Sequence, residues 1–222
     1  MNPVRNENKI GKCNHHVIND GNKTSISNGV NQWVLDGRKF LTDDQIKQLK
    51  KNCQQPRDLL ITNLALLSGL RVKEITDLKC GDISMESEPA SLTVRNGKGG
   101  KTRLVRFNGE LKLALMEYLK DKEIKGEGIG ADAPLLKSDK SGGHLSKRTL
   151  QRVFERMAKM AGITGHCFHH LRHTYASYLY RASNYNLRLV QKQLGHASIK
   201  TTQVYADVFD EDLTKALGKL YI

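Results

Sequence analysis

Tyr205 carries the chemistry with the most demands on its surroundings. A tyrosine holds its proton with a pKa of ~10, so its hydroxyl is a poor nucleophile at neutral pH. Against a phosphodiester it needs cationic and imidazole donors around the phosphate. His196 lies nine residues upstream, in Leu194-Gly195-His196, and His169-His170-Leu171-Arg172-His173-Thr174 lies about one helix earlier. His169, Arg172 and His173 share a helical face through i, i+3, i+4 spacing. The two histidines on that face could pair on a metal, but no Glu follows the first as in zinc proteases. Cys13-Asn14-His15-His16 lacks a second ligand cluster, so no metal is expected there either.

Two further cations stand far upstream. Arg71 follows Gly69-Leu70 and precedes Glu74 by one helical turn. The pair suits a plain surface contact, or a guanidinium fork on two phosphate oxygens with Glu74 orienting it. Lys98 sits between Gly97 and Gly99. Lysines in such a turn are commonly solvated, but the flanking glycines let it fold close to a groove, where Lys98 can protonate a leaving oxygen.

Bulk properties point the same way. Lys and Arg outnumber Asp and Glu by 36 to 23, a net charge of +13, which favours a polyanionic partner. Cys13, Cys53, Cys80 and Cys167 form no C-x-x-C pair and read as reduced thiols of a cytoplasmic protein. There is no apolar leader, and the apolar stretch from Leu59 to Leu67 is broken by Thr62 and Asn63, so neither a secretory signal nor a membrane span is expected.

These residues need a frame. Residues 1–38 are rich in Asn, Gly and Ser without a period and are expected to be a flexible arm. Order is expected from Phe40, with Thr42 and Gln45 as a capping box. An all-round apolar helix follows over about 57–68, ended by Gly69, then a short helix through Val72, Ile75 and Leu78. Residues 91–95 and 102–107 alternate as strands of a hairpin tipped by Asn96–Lys101. Helices are expected over 111–119, 147–160, 169–181, 187–194 and 198–205. A tail helix over about 207–222 follows, with Leu213, Leu217 and Leu220 on one face. The fold class is mainly α with a small antiparallel sheet (α+β).

Taken in order, Leu66-Leu67-Ser68-Gly69-Leu70-Arg71-x-x-Glu74, Gly97-Lys98-Gly99, His169-x-Leu171-Arg172-His173-Thr174 and Leu194-Gly195-His196 through Tyr205 strongly resemble the tyrosine recombinase (phage integrase) family. The resemblance covers 39–222 and implies that family's catalytic-domain fold. It implies that Tyr205 attacks the scissile phosphate, forming a 3′-phosphotyrosyl link and releasing a 5′-hydroxyl. Arg71 and Arg172 would clamp the non-bridging oxygens and Lys98 would protonate the departing oxygen. His169 would assist proton transfer at the tyrosine, and His196 would donate to the phosphate. The basic and polar residues beside the motifs, Lys73, Lys101, Arg103, Lys147, Arg148, Lys200 and Thr201, are expected to meet DNA.

No metal, nucleotide or other cofactor is implied. The implied partners are double-stranded DNA and three further copies of the chain, a homotetramer on two DNA sites with tails exchanged between protomers, in the cytoplasm at the nucleoid. The same groups also suit type IB topoisomerase-like relaxation. Two positions depart from the family pattern: His170 stands where an acidic residue is common, and Phe168 where Pro is frequent. Residues 1–38 also hold no recognisable core-binding domain. Either the chain is a fragment, or it is catalytic-domain-only like the fimbrial phase-variation invertases.

Overall fold

The computed structural model describes residues 34–35, 38–95, 100 and 102–205. Residues 1–33, Lys98, Lys101 and the tail 207–222 lie outside them. Two short antiparallel strands, β1 (Val34–Leu35) and β2 (Arg38–Lys39), fall within the stretch read as a flexible arm, so regular structure starts ahead of Phe40. Their two-residue length is too short for alternation to show in sequence.

Thr42 then opens α1 (Asp43–Lys51) as its capping box predicts. Its hydroxyl accepts the Gln45 backbone N–H at 3.2 Å, and its own N–H donates to the Gln45 side chain at 3.0 Å. Next comes α2 (Pro56–Ser68), begun by a proline that lacks the N–H a first turn cannot use. Leu60, Ile61, Leu64 and Ala65 are wholly buried in it, so α2 is the axis of the main core. It packs against α4 (Gly109–Ile124) and α6 (Phe168–Ala182). Each such leucine contributes roughly 1.5–3 kcal/mol by leaving water.

After α2, the one-and-a-half-turn α3 (Val72–Asp77) leads into a three-stranded antiparallel sheet. Its order is β3 (Ile83–Ser84), β4 (Ser91–Val94) and β5 (Arg103–Arg106), with Leu92 opposite Val105 and Val94 opposite Arg103. The predicted hairpin is thus present with a third, two-residue strand on its edge. Helix α4 runs past the expected Leu119 to Ile124, while α5 (Lys147–Met160) and α7 (Leu187–Leu194) match their predicted spans. The stretch 198–205, expected as a helix throughout, is helical only over α8 (Lys200–Gln203).

A second, smaller core joins Phe40, Ala176, Tyr180, Val190, Leu194 and Tyr205. It ties α6 and α7 to the segment that carries the tyrosine. No helix among the described residues is long and apolar enough to cross a membrane.

Gly69 is where these parts meet. It caps α2 in the left-handed conformation at φ +63°, and a Cβ there would lie 2.3 Å from Tyr175 Cδ1 and 2.9 Å from Leu194 Cδ2. Only glycine lets α6 and α7 close on the end of α2. Gly69→Ala is expected to lower stability by about 2–4 kcal/mol, the combined cost of overpacking and a strained φ, read from the urea unfolding midpoint. A loss below about 0.5 kcal/mol would show that the Tyr175 ring yields freely.

Candidate active site

Three chain segments converge on one carboxylate. Arg71 precedes α3, where its backbone N–H donates to Glu74 Oε2 at 2.8 Å and its Nη1 to Oε1 at 2.8 Å. The sequence expectation that Glu74 orients Arg71 matches this geometry. Arg103, from β5, donates to the same two oxygens at 2.8 and 3.0 Å, and Arg172 Nη1 lies 3.9 Å from Oε2. Burial pushes the Glu74 carboxyl up. The Arg103 hydrogen bonds, the Arg71 N–H and the charges of both guanidinium groups outweigh it and hold the carboxyl at about 2.

Arg172 is 3% exposed. It donates to the carbonyls of Gly69 and Leu194, the latter at 2.9 Å, and to His196 Nε2 at 3.1 Å. Burial and the nearby Arg71 charge lower it to about 10, so it stays protonated at neutral pH. A guanidinium has no lone pair to offer, so His196 Nε2 must accept from it. The His196 proton is then on Nδ1, which donates to Thr202 Oγ1 at 3.0 Å. His196 falls to about 4, through burial first and then the charges of Arg172, Arg71 and Arg103.

Tyr205 is 2% exposed within the smaller core. Its hydroxyl lies 2.8 Å from His173 Nδ1, a neighbour that the sequence placed on the right face but gave no role. His169 stands edge-on behind His173, with ring centroids 4.6 Å apart. The signal for His173 was its i+4 spacing from His169, which puts both rings on one face of α6. His170 takes up the helix cap instead, its Nδ1 accepting the Cys167 backbone N–H at 2.9 Å. Phe168 is buried edge-on against Phe154, which explains an aromatic residue there.

The structure therefore brings together Arg71, Glu74, Arg172 and His196, with Tyr205 and His173 beside them. The residues expected at DNA are scattered differently. Lys73 is exposed and pairs with Asp77 at 2.6 Å. Lys147 and Arg148 are exposed at the start of α5, and Lys200 and Thr201 on α8. Among the described ones, Arg103 alone turns inward, its side chain 15% exposed.

The phage integrase family model matches residues 39–212. The chain belongs to the phage integrase family. Among curated members, the tyrosine recombinase XerA of Pyrococcus horikoshii is 32% identical over 82% of this chain and 61% of its own length. The tyrosine recombinase XerC of Caldanaerobacter subterraneus subsp. tengcongensis is 35% identical over 81% of this chain and 50% of its own. The chain thus spans between half and two thirds of the length of these relatives. In three dimensions a XerA recombinase crystal structure superposes with TM-score 0.69 at 29% identity, covering 82% of this chain and 65% of that one. The XerH site-specific recombinase bound to a palindromic difH substrate, in a post-cleavage complex, gives 0.67 at 26% identity over 81% and 52%. These matches bear out the integrase catalytic-domain fold read from the motifs.

Because His196 is harder to protonate folded than unfolded, the unfolded chain takes up its proton first as pH falls. Stability is therefore lost from the unfolded value of ~6.5 down towards the folded value of about 4. Glu74 adds its own loss only below the ordinary carboxylate range, since its folded value is about 2. Between pH 6.5 and 4.5, His196→Gln is expected to flatten the fall of the urea midpoint with pH. Parallel curves for the two proteins would refute the assignment.

Proposed function

We propose that this chain is the catalytic part of a site-specific DNA recombinase that cleaves and rejoins DNA through a 3′-phosphotyrosyl link. The observation that carries this reading is the constellation itself: Arg71 fixed by Glu74, Arg172 held by two backbone carbonyls 3.9 Å from the same carboxylate and bonded to a neutral imidazole, and a tyrosine hydroxyl held by a second imidazole. Attack by the Tyr205 oxygen on phosphorus forms one P–O bond and breaks the bond to the 5′-oxygen. The tyrosine proton leaves through the His173 and His169 pair, and Lys98 supplies a proton to the departing oxygen. Arg71 and Arg172 offset the charge that builds on the phosphate in the transition state. As phosphate oxygens replace His196 as acceptor for Arg172, the imidazole can move its proton to Nε2 and donate in turn.

The covalent link keeps the bond energy for rejoining, so neither nucleotide nor metal is required. DNA is the partner expected of a chain with net charge +13. Incubation with a nicked suicide duplex in EDTA is expected to give a covalent adduct with the native chain and none with Tyr205→Phe, which still binds. Supercoil relaxation without strand exchange would make it a topoisomerase of the IB type instead. No adduct on any duplex would sink the reading.

Assembly is proposed to use the tail. An apolar groove of about 750 Å³, lined by Leu67, Phe107, Tyr175, Tyr178 and Leu189 together with Lys50 and Arg106, suits in chemistry a segment with Leu213, Leu217 and Leu220 behind the acidic Asp210, Glu211 and Asp212. Ending the chain after Asp207 is expected to weaken multimer formation on DNA more than single-site cleavage. Equal losses in native gels and cleavage assays would refute tail exchange.

A further inference from the structure

Arg103 begins β5, and the chain connecting β4 to it includes Lys98. Both ends of its fork are taken by Glu74, at 2.8 and 3.0 Å. Glu74 in turn holds Arg71 through its side chain and its backbone N–H. The stem of Arg103 lies against Gly195, where a Cβ would sit 2.6 Å from its Cδ and Nε. Gly195 leaves the stem its room, and the next residue is His196. One side chain therefore touches the hairpin base, the start of α3 and the turn after α7.

A DNA-contacting arginine needs a fork facing outward. Here a phosphate would have to displace two charge-assisted bonds to a buried carboxylate, the strong kind. We propose that Arg103 is a positioning residue: it fixes Glu74, through Glu74 it fixes Arg71, and it fastens the paired strands β4 and β5 to the arginine pair. This rests on the reading of Arg71 and Arg172 as ligands of the scissile phosphate. The electrostatic consequence follows from the sharing of one carboxylate. With Arg103 taking part of the Glu74 charge, the cluster stays positive where the phosphate enters. Without it, Glu74 would bear on Arg71 and Arg172 alone and cancel more of their field.

The test uses the full chain and a nicked duplex library with a randomised core, from which the native protein selects its substrate by covalent trapping. Binding against salt and single-turnover cleavage of the bound duplex are then measured for the native chain, R103Q, R103K, E74Q and the R103Q/E74Q double variant. R103Q is expected to keep the native salt slope, because no phosphate contact is lost, and to cleave ~10²-fold slower once bound. R103K recovers part of that rate. In the E74Q background R103Q adds less than ~3-fold, since both act along one path.

A salt slope shallower by about 1 with a native bound-state rate would make Arg103 a phosphate contact and overturn the proposal. Losses that multiply in the double variant would overturn it too. Should R103Q not fold, R103K decides alone: it keeps the charge but not the two-pronged fork, so a native cleavage rate in R103K refutes positioning. A native chain that traps no library member overturns the recombinase reading and this proposal with it.

Discussion

One buried carboxylate holds the rest of the site in being. Glu74 meets Arg71 and Arg103 at hydrogen-bond distance and has Arg172 3.9 Å away. Guanidinium groups brought this close repel one another, and the cost rises as water is excluded. A carboxylate kept ionised among them offsets that repulsion and gives each arginine a direction. Its own burial would favour the neutral acid, yet the hydrogen bonds win and the charge persists. Each guanidinium is thereby given a fixed direction, as the proposed phosphate clamp requires.

The scaffold contributes through the ends of its helices. Arg172 donates to the carbonyl of Gly69, just past α2, and to that of Leu194, the last residue of α7. Helix C-termini leave carbonyls without intrahelical partners and carry partial negative charge. A buried guanidinium satisfies both, so the same bonds that dock α6 between α2 and α7 set the position of the arginine. Gly69 allows the approach that makes this possible, with φ +63° and no room for a Cβ.

Much of this was legible in the chain. The Thr42 capping box, the all-round apolar α2 and its terminating glycine are local signals, and each appears where its residues place it. The motif order led to the catalytic-domain fold because those spacings are long and specific. What stayed hidden is what depends on residues far apart. Arg103 and Glu74 are distant in sequence, and a cation after a glycine-rich turn reads as a surface residue until the sheet turns it inward. His173 was visible on its face of α6, but only tertiary packing brings Tyr205 to its Nδ1. The strands at 34–39 and 83–84 were too short to leave a period.

Tyr205 is also a core residue, packed with Phe40, Ala176, Tyr180 and Leu194 and 2% exposed. A duplex phosphate cannot reach a hydroxyl so enclosed unless the smaller core loosens around it. On the proposed reading the chemistry would be drawn from a minor population, and the fraction of molecules in which that packing is undone would multiply every later rate. Changes that tighten the packing of Phe40 or Tyr180 would then slow cleavage without touching phosphate, and changes that loosen it would give a faster but less guarded nucleophile.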